Sequence, residues 1–104
     1  MRRLRQRSLQ DCSYVKRLPT IKDGEGNTIQ QYDIPVKIKA EIWQATSRLQ
    51  LEMYGLRIAN IQNMLYQGNI RIREGDRIVY EEETYNVISK KGRNILIIEL
   101  EKVI

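Results

Sequence analysis

The 104-residue chain has no histidine, a single cysteine and only two prolines, and nowhere does it run to about 18 consecutive apolar residues. Each scarcity removes a class of function. Without histidine there is no side chain that titrates unperturbed near neutral pH, and hence no ready proton shuttle. The lone Cys12 has no partner for an internal disulfide, and one thiol without imidazoles makes no zinc or copper ligand set. Cys12 therefore reads as a small buried apolar residue. No membrane-spanning helix is expected, and the basic start from Met1 to Arg7 is not followed by the apolar stretch of a secretory signal. The expectation is a soluble protein, intracellular when made.

Catalytic constellations are equally scarce. Asp11, Asp23, Asp33 and Asp76 lie in or beside expected turns, where a carboxylate ordinarily bonds its own backbone. Glu81, Glu82 and Glu83 read as a solvated hairpin tip, with calcium or a basic partner as the alternative. Gly24 and Gly26 do not make a phosphate loop, because no Gly-Lys-Ser or Gly-Lys-Thr follows them. We expect no enzyme activity, no cofactor and no bound metal.

What is present is enough for one modest core: 41% of the residues are hydrophobic, and the length suits a single domain spanning residues 1–104. The formal charge is +5, but Arg2, Arg3, Arg5 and Arg7 supply most of it, leaving the remainder at about +1. Residues 1–8 thus read as a flexible basic arm on a nearly neutral body. Such an arm can touch a phosphate backbone or an acidic partner surface.

A two-residue period dominates the chain. From Ile34 to Trp43 the residues Ile34, Val36, Ile38, Ala40 and Ile42 alternate with Pro35, Lys37, Lys39, Glu41 and Trp43, the pattern of a half-buried strand. Pro35 belongs near its start. Trp43 projects from the opposite face, toward a second buried layer or an interface. Ser13 to Ile21 extends ahead of a reversal at Asp23 to Asn27, giving a hairpin with its tip near Gly24. Ile70 to Ile72 alternates, Glu74-Gly75-Asp76 turns, Arg77 to Tyr80 extends, and Thr84 to Ser89 returns beyond the acidic tip. After the turn at Lys90 to Asn94, the apolar run Ile95 to Ile98 suits a strand covered on both faces. The fold class is mainly β, a small barrel or sandwich of short antiparallel strands with a long central loop.

Residues 45–67 divide the reading. Leu51, Tyr54, Ile58, Ile61 and Leu65 fall at helical spacing, and Ser47 with Gln50 suits a capping box. Gly55 counts against a continuous helix. Alternatively, residues 45–54 form a loop in which Leu49, Leu51 and Met53 alternate with Gln50 and Glu52, and Leu56 to Leu65 is a strand.

The order of these segments has a counterpart. Lys-Asp-Gly-Glu-Gly at 22–26, Ile-Lys-Ala-Glu-Ile at 38–42, Glu-Met-Tyr-Gly at 52–55, Ile-Arg-Glu-Gly-Asp at 72–76, and a closing Tyr85 to Ile88 with Leu96 to Glu101 follow in turn. In that order and spacing, from about Tyr14 onward, the chain resembles the head closure, or stopper, proteins of tailed bacteriophages and Gram-positive prophages. The resemblance implies a small β-barrel that closes the head-tail connector after DNA packaging, retains the genome and presents a docking surface for the tail. It implies a dodecameric ring of a protein monomeric in isolation, sited in the virion neck and made in the host cytoplasm. The implied partners are portal and adaptor proteins, tail terminator or tail tube proteins, and packaged DNA, with no membrane involved. The matching assembly loop is residues 45–55.

Read from the residues alone, such a loop would expose Leu49, Leu51 and Met53 in a monomer, a liability until a neighbour covers them. Strand-to-strand pairing around a ring would do so, and Glu52, Tyr54 and Trp43 would join that interface. The alternative from another class is a small β-barrel nucleic-acid-binding protein, motivated by the isoelectric point of about 9.5 and the Arg-rich start.

Overall fold

The computed structural model describes residues 9–103. Its strands are β1 (Gln10–Val15), β2 (Arg17–Lys22), β3 (Thr28–Tyr32), β4 (Val36–Gln44), β5 (Ile61–Tyr66), β6 (Arg77–Tyr80), β7 (Glu83–Lys91) and β8 (Leu96–Lys102). Six of them close an antiparallel barrel in the order β1-β4-β5-β8-β7-β6, with β6 returning to β1, while β2 and β3 form a separate two-stranded ribbon. Closure removes the free edges that an open sheet of short strands would expose.

The barrel interior follows from side-chain alternation. Cys12 and Tyr14 of β1, Ile38, Ala40 and Ile42 of β4, Met64 and Tyr66 of β5, Ile78 of β6, Tyr85 and Val87 of β7, and Leu96, Ile98 and Leu100 of β8 pack into one core, which Ile72 completes. Each fully buried aliphatic side chain contributes roughly 1.5–3 kcal/mol relative to solvent exposure. Cys12 is buried here as expected, and burial, with Asp11 beside it, pushes its thiol up to about 11.

The barrel is mainly β as the alternation indicates, but four local expectations differ. Ile34 and Val36 continue the apolar period of β4 yet are exposed: the β1–β4 ladder ends at the Tyr14–Val36 pair, and Ile34 lies ahead of the first residue of β4. Ile70 to Ile72 is not a strand. Ile95 to Ile98 is not covered on both faces: Leu96 and Ile98 point inward while Ile97 is exposed. Of the two readings open for residues 45–67, the structure takes the helical one at its start, forming α1 (Arg48–Tyr54) in place of the assembly loop that the resemblance implies at 45–55. A 3₁₀ turn at Gly55–Asn60 leaves only the later part of the alternative strand from Leu56 to Leu65 extended, as β5.

Antiparallel order gives the barrel two poles. The segments linking strands at one pole are residues 16–35, 67–76 and 92–95, and those at the other are residues 45–60 and the Glu81-Glu82 turn. The ribbon β2–β3 departs from the first pole and packs little against the barrel. Accordingly the Cα radius of gyration is 14.8 Å, against about 13 Å for a compact domain of this size. Pro19 sits in the ribbon where its register shifts between Leu18 and Ile21, so the missing N–H disturbs no regular ladder.

Asp76 anchors that pole. Its buried carboxylate accepts the Tyr14 hydroxyl at 2.6 Å, the Arg17 amide at 2.8 Å and the Arg73 amide at 2.9 Å. Its own carbonyl accepts the Val87 amide at 2.8 Å. Asp23 and Asp33 do make the expected turn bonds, to Glu25, Asn27 and Ile34, whereas Asp11 lies in β1 facing Lys39.

Two stability changes are expected. Asp76→Asn puts an NH2 group where a carboxylate oxygen accepts, and should cost about 2 kcal/mol or more, measured as a lower denaturation midpoint. At the Glu81-Glu82 turn both residues have positive φ, 50° and 66°, the type I′ geometry that favours glycine second. For Glu82→Gly, relief of about 1–2 kcal/mol of left-handed strain exceeds about 0.4–1 kcal/mol of added freedom in the unfolded chain. That variant should therefore raise the midpoint with an unchanged denaturant slope.

Candidate interaction surface

The α1 segment is built by signals within a few residues of it. Ser47 caps the helix: its hydroxyl accepts the Gln50 amide at 3.1 Å, and Gln50 lies at the third helical position, as a capping box requires. Gly55 ends it with φ 57° and ψ −130°, a backbone state open in practice only to glycine, while its N–H bonds the Leu51 carbonyl. Seven residues are too few for a helix to persist alone, so α1 depends on the barrel beneath it.

That dependence is polar. Gln50 donates to Asn63 of β5 at 2.6 Å and to Glu99 of β8 at 2.8 Å, and the Asn63 amide donates back to Gln50 at 3.3 Å. The Tyr54 hydroxyl donates to the second Glu99 oxygen at 2.8 Å. Arg57 grips Glu101 through both carboxylate oxygens, at 2.8 and 2.6 Å. Gln44 holds the return of the chain by donating to the carbonyls of Ile58 and Ile61. Gln50, Tyr54 and Arg57 are four and three residues apart, so they line one stripe, while Glu99 and Glu101 alternate outward on β8. Burial, and then the Glu99 hydrogen bond, push the Tyr54 phenol up to about 12.

With its polar stripe inward, the segment turns its apolar side chains to solvent. No residue of α1 is buried. Leu49 is 66% exposed, Leu51 52%, Met53 60% and Leu56 98%. Leu49 and Met53, four apart, share a face. Trp43 lies opposite Asn63 in the β4–β5 ladder and is 41% exposed, which sets its indole on the barrel face that receives the helix. Glu52 is exposed beside Arg48. Among the residues expected at an interface, the structure therefore leaves Leu49, Leu51, Met53 and Trp43 exposed, with Leu49 and Met53 on one flank of α1 and Leu51 on the other. Tyr54 instead faces its own barrel. Arg2, Arg3, Arg5 and Arg7 lie outside the described residues.

The docking set of Gln50, Asn63, Arg57, Glu99 and Glu101 escaped sequence reasoning. Its one readable trace is the hydrogen-bonding stripe 50, 54, 57, obscured by the leucines between.

No family model matches this chain, and no curated protein matches it significantly. Among solved structures it is similar to the solution structure of protein SF1141 from Shigella flexneri 2a, a structural-genomics target, with a TM-score of 0.64 and 15% identity over 95% of this chain and 96% of that one. At that identity the likeness concerns the fold alone.

The bonds that hold α1 contribute about 0.5–1.5 kcal/mol each between neutral groups and about 1.5–3 kcal/mol to a carboxylate, less where exposed. No side chain of α1 is buried in the core, so α1 is expected to open before the barrel strands do. The Arg57 guanidinium holds the Glu101 carboxyl below its ordinary value. A carboxyl lowered on docking stabilises the docked form above its free value, and that contribution vanishes as pH falls through the docked value. Amide protection over residues 48–60 is therefore expected to fall on acidification before protection of β4, β5 and β8 does, read by hydrogen exchange as protection factors.

Proposed function

We propose that this chain is a structural subunit that works by assembly, and specifically a head closure protein of a tailed bacteriophage or related prophage. The observation that carries the reading is the inverted amphipathicity of α1 and the turn after it: Leu49, Leu51 and Met53 of α1 and Leu56 of the 3₁₀ turn face solvent while the polar stripe faces the barrel. A surface of that kind on a small barrel is a contact awaiting a partner. The ordered motifs from Lys22 to Glu101 supply the family reading.

The partner we assign to it is a second copy of the chain. A ring needs a head-to-tail contact between two different patches. The second patch is the ribbon β2–β3, which alone among the described strands has unpaired edges and which exposes Ile21 and Ile29. Strand pairing around the ring thus belongs to the ribbon, not to residues 45–54, which contribute a helical face. In the virion neck a dodecameric ring of such contacts would sit against the portal and adaptor, retain packaged DNA and receive the tail terminator or tail tube.

The double variant Leu49→Glu/Met53→Glu tests this. Both side chains are exposed, so monomer stability should change by no more than about 0.5 kcal/mol. Ring formation on portal–adaptor complexes, followed by sedimentation and electron microscopy, should be lost. Rings that form equally well with the double variant would overturn the reading.

A further inference from the structure

The pole opposite α1 carries a second surface of a different chemistry. Two depressions of about 390 and 370 Å³ adjoin there, sharing Ile70 and Arg71 in their linings. Arg71, Lys90 and Arg93 line the first, and Lys16, Arg17 and Arg73 extend the second. The sole carboxylate in either lining is Asp76, whose two oxygens are already taken by three donors. Glu74 is exposed in the neighbouring turn and lines neither.

None of the six cations is in an ion pair among the described residues, and the one carboxylate of the linings, Asp76, offsets a single charge of the six. The ion pairs among the described residues engage Lys39, Arg48, Arg57 and Lys102 instead. Six like charges gathered in two joined concavities repel one another and focus a positive potential outward, an arrangement that an anion relieves. The shape selects among anions. Two adjoining lobes, with cations along both, fit an extended polyanion better than a single phosphate or carboxylate. The only aromatic ring in the linings, Tyr14, is buried with its hydroxyl bound to Asp76, so no ring is free for bases to stack on.

We infer that this groove, from Lys16 and Arg17 through Arg71 to Lys90 and Arg93, binds the sugar-phosphate backbone of nucleic acid without reading its sequence. Backbone contacts of this kind position a nucleic acid and carry no base information. The inference does not rest on the ring: it concerns the isolated chain, and the groove lies at the other pole from α1, although Arg17 also begins the ribbon assigned to the subunit contact.

The test is fluorescence anisotropy of the full chain with a labelled mixed-sequence DNA duplex over a series of salt concentrations. Binding should weaken steadily with salt. Arg71→Gln/Arg93→Gln should weaken it at every concentration and reduce the slope of log K against log salt by about 2, since each phosphate that an arginine no longer neutralises keeps its counterion. Both arginines are exposed, so the thermal transition should not move. A second variant, R2Q/R3Q/R5Q/R7Q, separates the arm from the groove: residual binding should persist in it and remain sensitive to the groove substitutions. Absence of salt-dependent binding by the wild-type chain would overturn the inference, as would binding that depends on the arm variant alone. An unchanged duplex affinity in Arg71→Gln/Arg93→Gln, together with lost ring assembly, would also overturn it and assign the groove to an acidic protein surface.

Discussion

The buried Asp76 carboxylate is the constraint on which the arrangement of the first pole depends. There the chain leaves the barrel after β1, builds the ribbon and re-enters at β4, and there a second excursion after β5 returns at β6, so consecutive segments part company and distant ones must meet. Asp76 ties the end of β1, the start of the ribbon and the turn before β6 through Tyr14, Arg17 and Arg73. Each donor would otherwise be a polar group withdrawn from water without a partner. The same carboxylate that closes the barrel thereby fixes where the ribbon begins and where Arg17 and Arg73 stand.

Legibility in the sequence tracks how local each determinant is. The β4 strand is plain because one of its faces is solvated, so Ile38, Ala40 and Ile42 alternate cleanly with Lys37, Lys39 and Glu41. The exposure of Ile97 is not, because a run of four apolar residues hides its own period. Asp76 looks like the other turn aspartates, and what distinguishes it is Tyr14, 62 positions away. No short window contains that information.

The α1 segment shows the same division in miniature. Ser47, Gln50 and Gly55 specify a short helix locally, and each of the two competing patterns holds part of the answer: a capped start and a glycine stop. Which face turns inward is not legible, because it depends on Glu99 and Glu101, more than forty positions downstream. Leucines on a helix ordinarily mark the side that packs. Here the barrel offers two carboxylates and an amide at the seat, and a polar stripe fits that seat at lower desolvation cost than leucine would.

The direction of the strands has one more outcome. Because β1 begins and β8 ends at the pole that carries α1, Gln10 and Lys102 sit at the same end of the barrel. A tether or cargo grafted directly at Gln10 or Lys102 would therefore start from the rim that carries the helix, not from the far rim of the barrel.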